Sequence, residues 1–495
     1  MRRITVAPEQ RRLLERLTTF FEARAVSAHA TGGFLRDALL GLPARDLDVA
    51  LAGDSLAVGR ELAGELGGHF VTLDEGRGHA RIVLPDGDVT IDLTPVPGTI
   101  EDDLRRRDYT IDALGAPLAE VAAGAVEVID PTGGLADLEA RLVRATSEEA
   151  LREDRLRPLR GARIAAQLGF EIETSTREMI SRHAARVAEA APERQRDELM
   201  RMLAAPQAVP GMRLLDELGL LSAVLPEMDV TRGVEQPKEH HHDVFGHSIA
   251  AVDALDALLA DEPSADKRNG RLWRELWSAL EWWDGGRDYF REPVAAGTPR
   301  RALVKLCGLL HDIGKPATKT FEESGRMRFF GHSDAGAEIA GRLMRRLRFS
   351  GREREIVMRM IEAHLRPVQM AQDRAPTKRA VYRYFRATGE AGVDTLFLSL
   401  ADHLATVGPN VSREGFRAHV AVVSHILRLR FADEGVTSPP KLVSGDDLMR
   451  ELGLEPGALL GELLEAVREA QAGGDVSTRE EALELARRRL AETEQ

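Results

Sequence analysis

Thr31-Gly32-Gly33-Phe34-Leu35-Arg36-Asp37, with Asp46-Leu47-Asp48-Val49 beginning nine residues after Asp37, is the stretch on which the reading of the first third of the chain turns. Paired glycines just ahead of an apolar-periodic run let backbone N–H groups come close to a triphosphate where a helix starts. A turn carrying Gly41 and Pro43 follows, and then a strand pattern. On a strand, the i, i+2 spacing of Asp46 and Asp48 aims both carboxylates at one face. Val49 and Leu51 point the other way. Two like charges so close call for a cation between them. Magnesium, a hard ion held by carboxylates plus substrate phosphates, suits the pair, and two such ions clamping attacking and leaving oxygens suit phosphoryl or nucleotidyl transfer. Asp92, on the polar face of Val89 to Leu93, is placed to complete a third ligand position. A DxD pair alone is as well explained by a solvated strand face; the glycines upstream decide between the two.

Around this stretch the composition is that of a folded protein. A chain of 495 residues, 43% hydrophobic and 30% charged, buries several cores, and single cores stop growing beyond about 250 residues, which implies roughly two to four domains. No run approaches the ~18 apolar residues of a membrane span, and Met1-Arg2-Arg3 opens into a charged helical pattern and not a signal-peptide segment. A cytosolic chain without a membrane partner is therefore expected. One cysteine, Cys307, excludes a disulfide framework and a cysteine-based zinc cluster, so any metal must be held by His and carboxylate. The formal charge of −13 argues against general coating of polyanions. It leaves room for a local basic groove, such as the one formed by Arg152, Arg155, Arg157, Arg160 and Arg163.

From Met1 to about Val128, short strand-like runs alternate with helical ones, Ala80 to Leu84 and Val89 to Leu93 among them. From about Leu135 onward a helical period dominates. The fold class read from this is α+β: a small head with a mixed sheet, followed by an all-α remainder. Val234 to His242, Asp261 to Gly270, Ala295 to Pro299 and Ser438-Pro439-Pro440 read as linkers or loops. Trp273, Trp277, Trp282 and Trp283 read as a packed helix in preference to a base-stacking platform.

The head motifs resemble those of the class II tRNA nucleotidyltransferase and bacterial poly(A) polymerase family, whose head reads GG-hydrophobic-x-RD followed by DxD. Asp103-Leu104-Arg105-Arg106-Arg107-Asp108-Tyr109-Thr110-Ile111-Asp112-Ala113 is similar to its next motif, with Asp112 where the family usually has Asn. Asp130 to Gly134, Glu153-Asp154-Arg155-Leu156-Arg157 with Arg160 and Arg163, and Glu193 to Leu199 follow in the family's order. The resemblance implies a polymerase-beta-like head, catalysis by Asp46, Asp48 and Asp92, and Mg²⁺ on Asp46 and Asp48. It places Gly32, Gly33, Arg36, Arg106, Asp108, Asp154, Arg157, Arg160 and Arg163 on the nucleotide. Asp154 and Arg157, i, i+3 on one helix face, supply an acceptor and a planar donor fork for a base edge. Pro158 disfavours α conformation at Arg157, so the helix begins there or kinks. Only Leu93 to Ile100 separate Asp92 from Glu101, where full CCA-adding members carry a longer loop; a short one resembles the CC-adding subtype.

A second constellation lies downstream. His247, His311-Asp312 followed by Gly314-Lys315, and Asp402 stand on apolar helical runs, with His332 and His364 between. An adjacent His-Asp pair in such a run carries an energetic cost that core packing does not explain. Imidazole with carboxylate suits Mn, Fe, Ni, Mg or Zn. About His240 to Val407 resembles the HD phosphohydrolase superfamily, which implies His247, His311, Asp312 and Asp402 as ligands of a divalent transition metal or Mg²⁺, with His332 and His364 for a second metal or a phosphate. His240, His241 and His242 read as loop residues. The combined expectation is a head (1–135), a helical neck and body (136–235), an HD domain (236–408) and a helical tail (409–495). The activity implied is template-independent addition of C and/or A to the tRNA 3′ end from CTP and ATP. CC-only addition, poly(A) synthesis, an HD phosphohydrolase with an RNA-binding head and a non-enzymatic tRNA-binding protein are the competing readings.

Overall fold

The structure is a computed structural model and describes residues 1–43, 46–85, 89–238, 240–295, 297–370, 375–408, 412–432, 434–437 and 439–493. The chain forms two compact units, one of residues 1–190 with 214–223 and the other of 191–213 with 224–495. No helix among the described residues is long and apolar enough to cross a membrane.

The first unit is built on a six-stranded sheet, with strands numbered in chain order: β1 (Ala28–Thr31), β2 (Asp46–Leu51), β3 (His69–Asp74), β4 (His79–Val83), β5 (Thr90–Pro95) and β6 (Gly115–Pro117). Their order across the sheet is β3-β4-β5-β2-β1-β6. β2 and β5 run parallel, and the other neighbours are antiparallel. Alternation decides which face does what. Leu47, Val49 and Leu51 of β2, Ala80 and Ile82 of β4, and Ile91 and Leu93 of β5 all lie in one core with Leu14, Leu17, Phe20 and Phe21 of the Pro8–Glu22 helix. Burial of each large apolar side chain contributes roughly 1.5–3 kcal/mol and fixes the register, because a slip of one residue would turn the other set inward. Asp46, Asp48, Arg81, Thr90 and Asp92 are thereby assigned to the opposite face.

The second unit is helical apart from two-stranded pairs such as Thr320–Phe321 with Met327–Arg328. Its central helices are Val244–Leu258, Arg300–Leu310, His332–Arg346, Gly351–Ala363 and Gly392–Val407. Trp273 and Trp277 pack on the Lys267–Ala279 helix as expected, while Trp282 and Trp283 follow its end in a turn. Trp273 and Trp277 donate their indole N–H to the carbonyls of Ala260 and Leu258 at 2.8 and 3.0 Å, and the Trp277 ring meets Phe397 at 5.9 Å. A separate apolar core, including Leu448, Leu463, Val467 and Ala482, holds the last three helices together. Of the expected linkers, Glu239, Ala296 and Ser438 lie outside the described residues.

Candidate functional site

In the head, Asp48 and Asp92 are register partners on the parallel strands β2 and β5, and Asp46 is paired with Thr90 one step along. Asp46 is exposed and accepts a 2.7 Å hydrogen bond from the Thr90 hydroxyl. The glycine turn lies against this face. A Cβ on Gly32 would come within 2.6 Å of Asp48 Oδ2 and 2.9 Å of Arg107 Nη1, and Gly32 holds a φ of +65°, so both space and backbone require glycine. Burial pushes the Asp48 carboxyl up to about 6; Arg107 opposes the shift and Asp92 adds to it. Three carboxylates meeting on one sheet face are a donor set that a divalent ion fits.

Three of the expected site residues are placed as follows. Arg36 is buried and commits its guanidinium to Asp112 at 2.6 Å and Asp37 at 2.8 Å, so it buttresses the Gly32–Leu40 helix from inside. Arg106 is exposed at the end of the Ile100–Arg105 helix. Its neighbour Arg107 faces the site, donating to Thr31 Oγ1 at 2.8 Å and pairing with Asp103 at 3.3 Å. Asp92 is not a free ligand, because both its oxygens accept from Arg81, at 2.7 Å from Nε and 2.7 Å from Nη2. The sequence signal for Arg107 was the run of three arginines before Asp108; Arg81 had none, since only the strand register sets it opposite Asp92.

Asp154 and Arg157 do not share a helix face. The Glu148–Glu153 helix ends at Asp154, which is extended, and a new helix, Arg157–Leu168, starts with Pro158 in its first turn. Proline lacks the N–H that a continuous helix would use, so the chain breaks there. Asp154 Oδ1 accepts from Leu156 N at 3.0 Å, while Arg157 Nη1 donates to the carbonyl of Ala150 at 2.6 Å. Arg160 reaches Asp108 at 3.3 Å. Burial alone would raise the Asp108 carboxyl, but Arg160, Arg157 and Arg107 hold it below its usual range. Arg163 donates to Gln167 at 2.5 Å.

The motif that carries Asp108 is locked onto the Arg157–Leu168 helix. The Tyr109 hydroxyl donates to the Arg157 carbonyl at 2.7 Å and lies where a Cβ of Gly161 would be, 2.0 Å away. Gly161→Ala is therefore expected to destabilise the first unit by about 1–3 kcal/mol of overpacking, more than the ~1 kcal/mol of helix propensity that alanine returns. A melting curve of the variant checks this, and an unchanged or raised Tm would contradict it.

In the second unit, helix termini converge on Asp312. His311 and His364 sit at the C-caps of their helices and His332 opens the next, and each places Nδ1 near the carbonyl three residues earlier, at 2.9, 2.6 and 2.7 Å. With Nδ1–H donated to a carbonyl, Nε2 presents its lone pair inward. His247 Nε2 and His311 Nε2 lie 3.1 Å apart, and each is 3.3 Å from Asp312 Oδ2; His247 is 3.1 Å from Asp402 Oδ1. His332 and His364 face the other oxygen, Asp312 Oδ1, at 3.5 and 3.9 Å. Two sets of donors, His247/His311/Asp312 and Asp312/His332/His364, are close enough to share an ion each. His247, His311, Asp312 and His364 are buried. Burial would lower His311, but Asp312 and Asp402 reverse this and carry it up to about 10. Burial and the charge on His311 push His364 down to about 4, leaving it neutral as a ligand must be. Lys315, which the sequence reading left out of the site, contacts Asp312 Oδ2 at 2.6 Å and donates to Gln236 at 2.7 Å. His240 to His242 lie in a loop, with the His240 ring 5.6 Å from that of His247.

The chain matches three protein families: the Poly A polymerase head domain over residues 28–144, the probable RNA and SrmB-binding site of polymerase A over 169–231, and the HD domain over 279–407. His247 lies before the matched HD segment and joins its ligands through the fold. The A-adding tRNA nucleotidyltransferase of Deinococcus radiodurans is 36% identical, covering 94% of this chain and 96% of its own. The CC-adding tRNA nucleotidyltransferase of Thermus thermophilus is 37% identical, covering 92% of each. The Thermotoga maritima CCA-adding enzyme, solved in complex with tRNA, shares the fold with a TM-score of 0.56 at 19% identity, over 99% of this chain and 100% of the other. On the identity and length of these matches, the chain belongs to the tRNA nucleotidyltransferase family.

Proposed function

We propose that this protein adds C and/or A residues to the 3′ end of tRNA from CTP and ATP without a nucleic-acid template. The observation that carries the reading is the placement of Asp46 and Asp48 on the sheet face opposite the apolar core, with the Gly32 backbone against Asp48. The tRNA 3′-hydroxyl forms a bond to the α-phosphorus, and the bond from that phosphorus to pyrophosphate breaks. Asp46 and Asp48 would hold Mg²⁺, which when bound offsets charge on the phosphates and orients the reacting oxygens. Gly32 and Gly33 offer backbone N–H groups to the triphosphate, and Arg107 and Arg160 supply nearby positive charge. Asp154 is the candidate acceptor for the base edge. The extent of addition is tested with CTP and ATP separately on tRNA ending before CCA and after CC. Incorporation of either nucleotide supports the reading, and incorporation of neither overturns it.

The short segment after Asp92 is the feature on which the narrower CC-adding reading would rest. Between the end of β5 at Pro95 and the helix starting at Ile100 the chain has only Val96 to Thr99. The CC-adding relative from Thermus thermophilus supports it, and the A-adding relative from Deinococcus radiodurans weighs against it. In the second unit, the two histidine pairs around Asp312 favour a site for divalent ions with phosphoester hydrolysis as its chemistry. The proposed division is into head (1–135), neck and body (136–235), HD domain (236–408) and tail (409–495), with residues 191–213 and 224–235 of the neck and body falling in the second compact unit.

A further inference from the structure

We propose that Arg81 is a resident cation of the head's carboxylate cluster, which a divalent ion must displace from Asp92 before that residue can join the metal site. The proposal rests on Asp46 and Asp48 being the ion-holding pair.

Ala80 and Ile82 are buried in the core, so alternation along β4 puts the Arg81 side chain on the face that carries the aspartates. There it stands opposite Asp92 across the β4/β5 pair, and Asp92 stands beside Asp48 across the β5/β2 pair. The guanidinium takes both Asp92 oxygens at 2.7 Å, the parallel two-point geometry that makes arginine–carboxylate pairs strong. Hydrogen bonding to Asp92 holds Arg81 firmly charged, with Asp46 and Asp48 adding to the effect. A divalent ion on Asp92 would therefore meet a fixed positive charge at contact distance and compete for the same lone pairs. Arg81 has somewhere to go. Its side chain is 36% solvent-exposed, against 22% for Asp92. A guanidinium fork released from a carboxylate fits a phosphate equally well. Exchange of Asp92 from arginine to metal, and of Arg81 from carboxylate to triphosphate, makes ion and nucleotide bind cooperatively.

Binding of Mn²⁺ to the full-length protein without nucleotide, followed by the EPR signal of the free ion, tests this in a background carrying Asp312→Asn to silence the other candidate cluster. Arg81→Gln is expected to tighten Mn²⁺ binding by about tenfold or more, corresponding to roughly 1.4 kcal/mol. Asp92→Asn alone should change it little, since Asp92 is already taken, yet should cancel the gain in Arg81→Gln. Arg81→Lys, which keeps the charge without the fork, should fall between and guards against a variant that fails to fold. Unchanged Mn²⁺ affinity in both Arg81 variants overturns the proposal. Asp48→Asn should weaken binding in every background; if it does not, the carboxylate pair is not the ion site, a separate failure from that of Arg81.

Discussion

Asp48→Asn, and more strongly the double change Asp46→Asn with Asp48→Asn, is expected to lower nucleotide incorporation into tRNA by at least about 10²–10³-fold, the several kcal/mol that ion-based stabilisation of a transferring phosphate supplies. The two positions are not equivalent. Asp46 is exposed and hydrogen-bonded to Thr90, whereas Asp48 is shielded and lies against the glycine turn. Converting Asp48 to an amide removes a carboxylate already raised to about 6 by burial and by Asp92, so the fold should tolerate the change while the chemistry fails. A steady-state assay beside a melting curve separates the two: lost activity with a Tm kept is the expected pair. Full activity in the double variant would remove the basis for the assignment.

Asp312→Ala carries the largest expected effect in the second unit. Asp312 neutralises His311 and Lys315, all three buried, and removing one partner of such a group leaves the others uncompensated, at a typical cost of about 3–5 kcal/mol. Asp312 belongs to both potential ion positions, turning Oδ2 to His247 and His311 and Oδ1 to His332 and His364. The variant is expected to lose bound divalent metal and any phosphoester hydrolysis while head-catalysed incorporation persists. Elemental analysis after dialysis, with calorimetry for stability, checks it. Undiminished metal content would show that the histidines bind no ion through Asp312.

The parts of this account legible in the sequence are those set by local pattern. Alternation in Asp46-Leu47-Asp48-Val49 gave the strand and its two faces, and His311-Asp312 in an apolar run marked a buried polar cluster, because burying such groups without purpose is costly. The parts that were not legible depend on pairing between distant segments. Arg81 is eleven residues from Asp92, and no local rule states that the two strands set them face to face. Arg106 and Arg107 are identical by composition; only the end of the Ile100–Arg105 helix decides which one turns to Thr31. Pro158 did announce a break, but whether Asp154 and Arg157 stayed on one face required knowing that Asp154 is extended. Arg36 read as a phosphate contact because its partner Asp112 lies 76 residues away.

The placement of a divalent ion is the point on which everything else depends, and anomalous diffraction sees it directly. Crystals of the full-length protein soaked with Mn²⁺ and a non-hydrolysable CTP analogue should show an anomalous peak within about 2.0–2.6 Å of carboxylate oxygens of Asp46 and Asp48, with the triphosphate beside Gly32. A nucleotide bound with no peak between those two side chains, or a peak held by other residues of the head, would contradict the assignment.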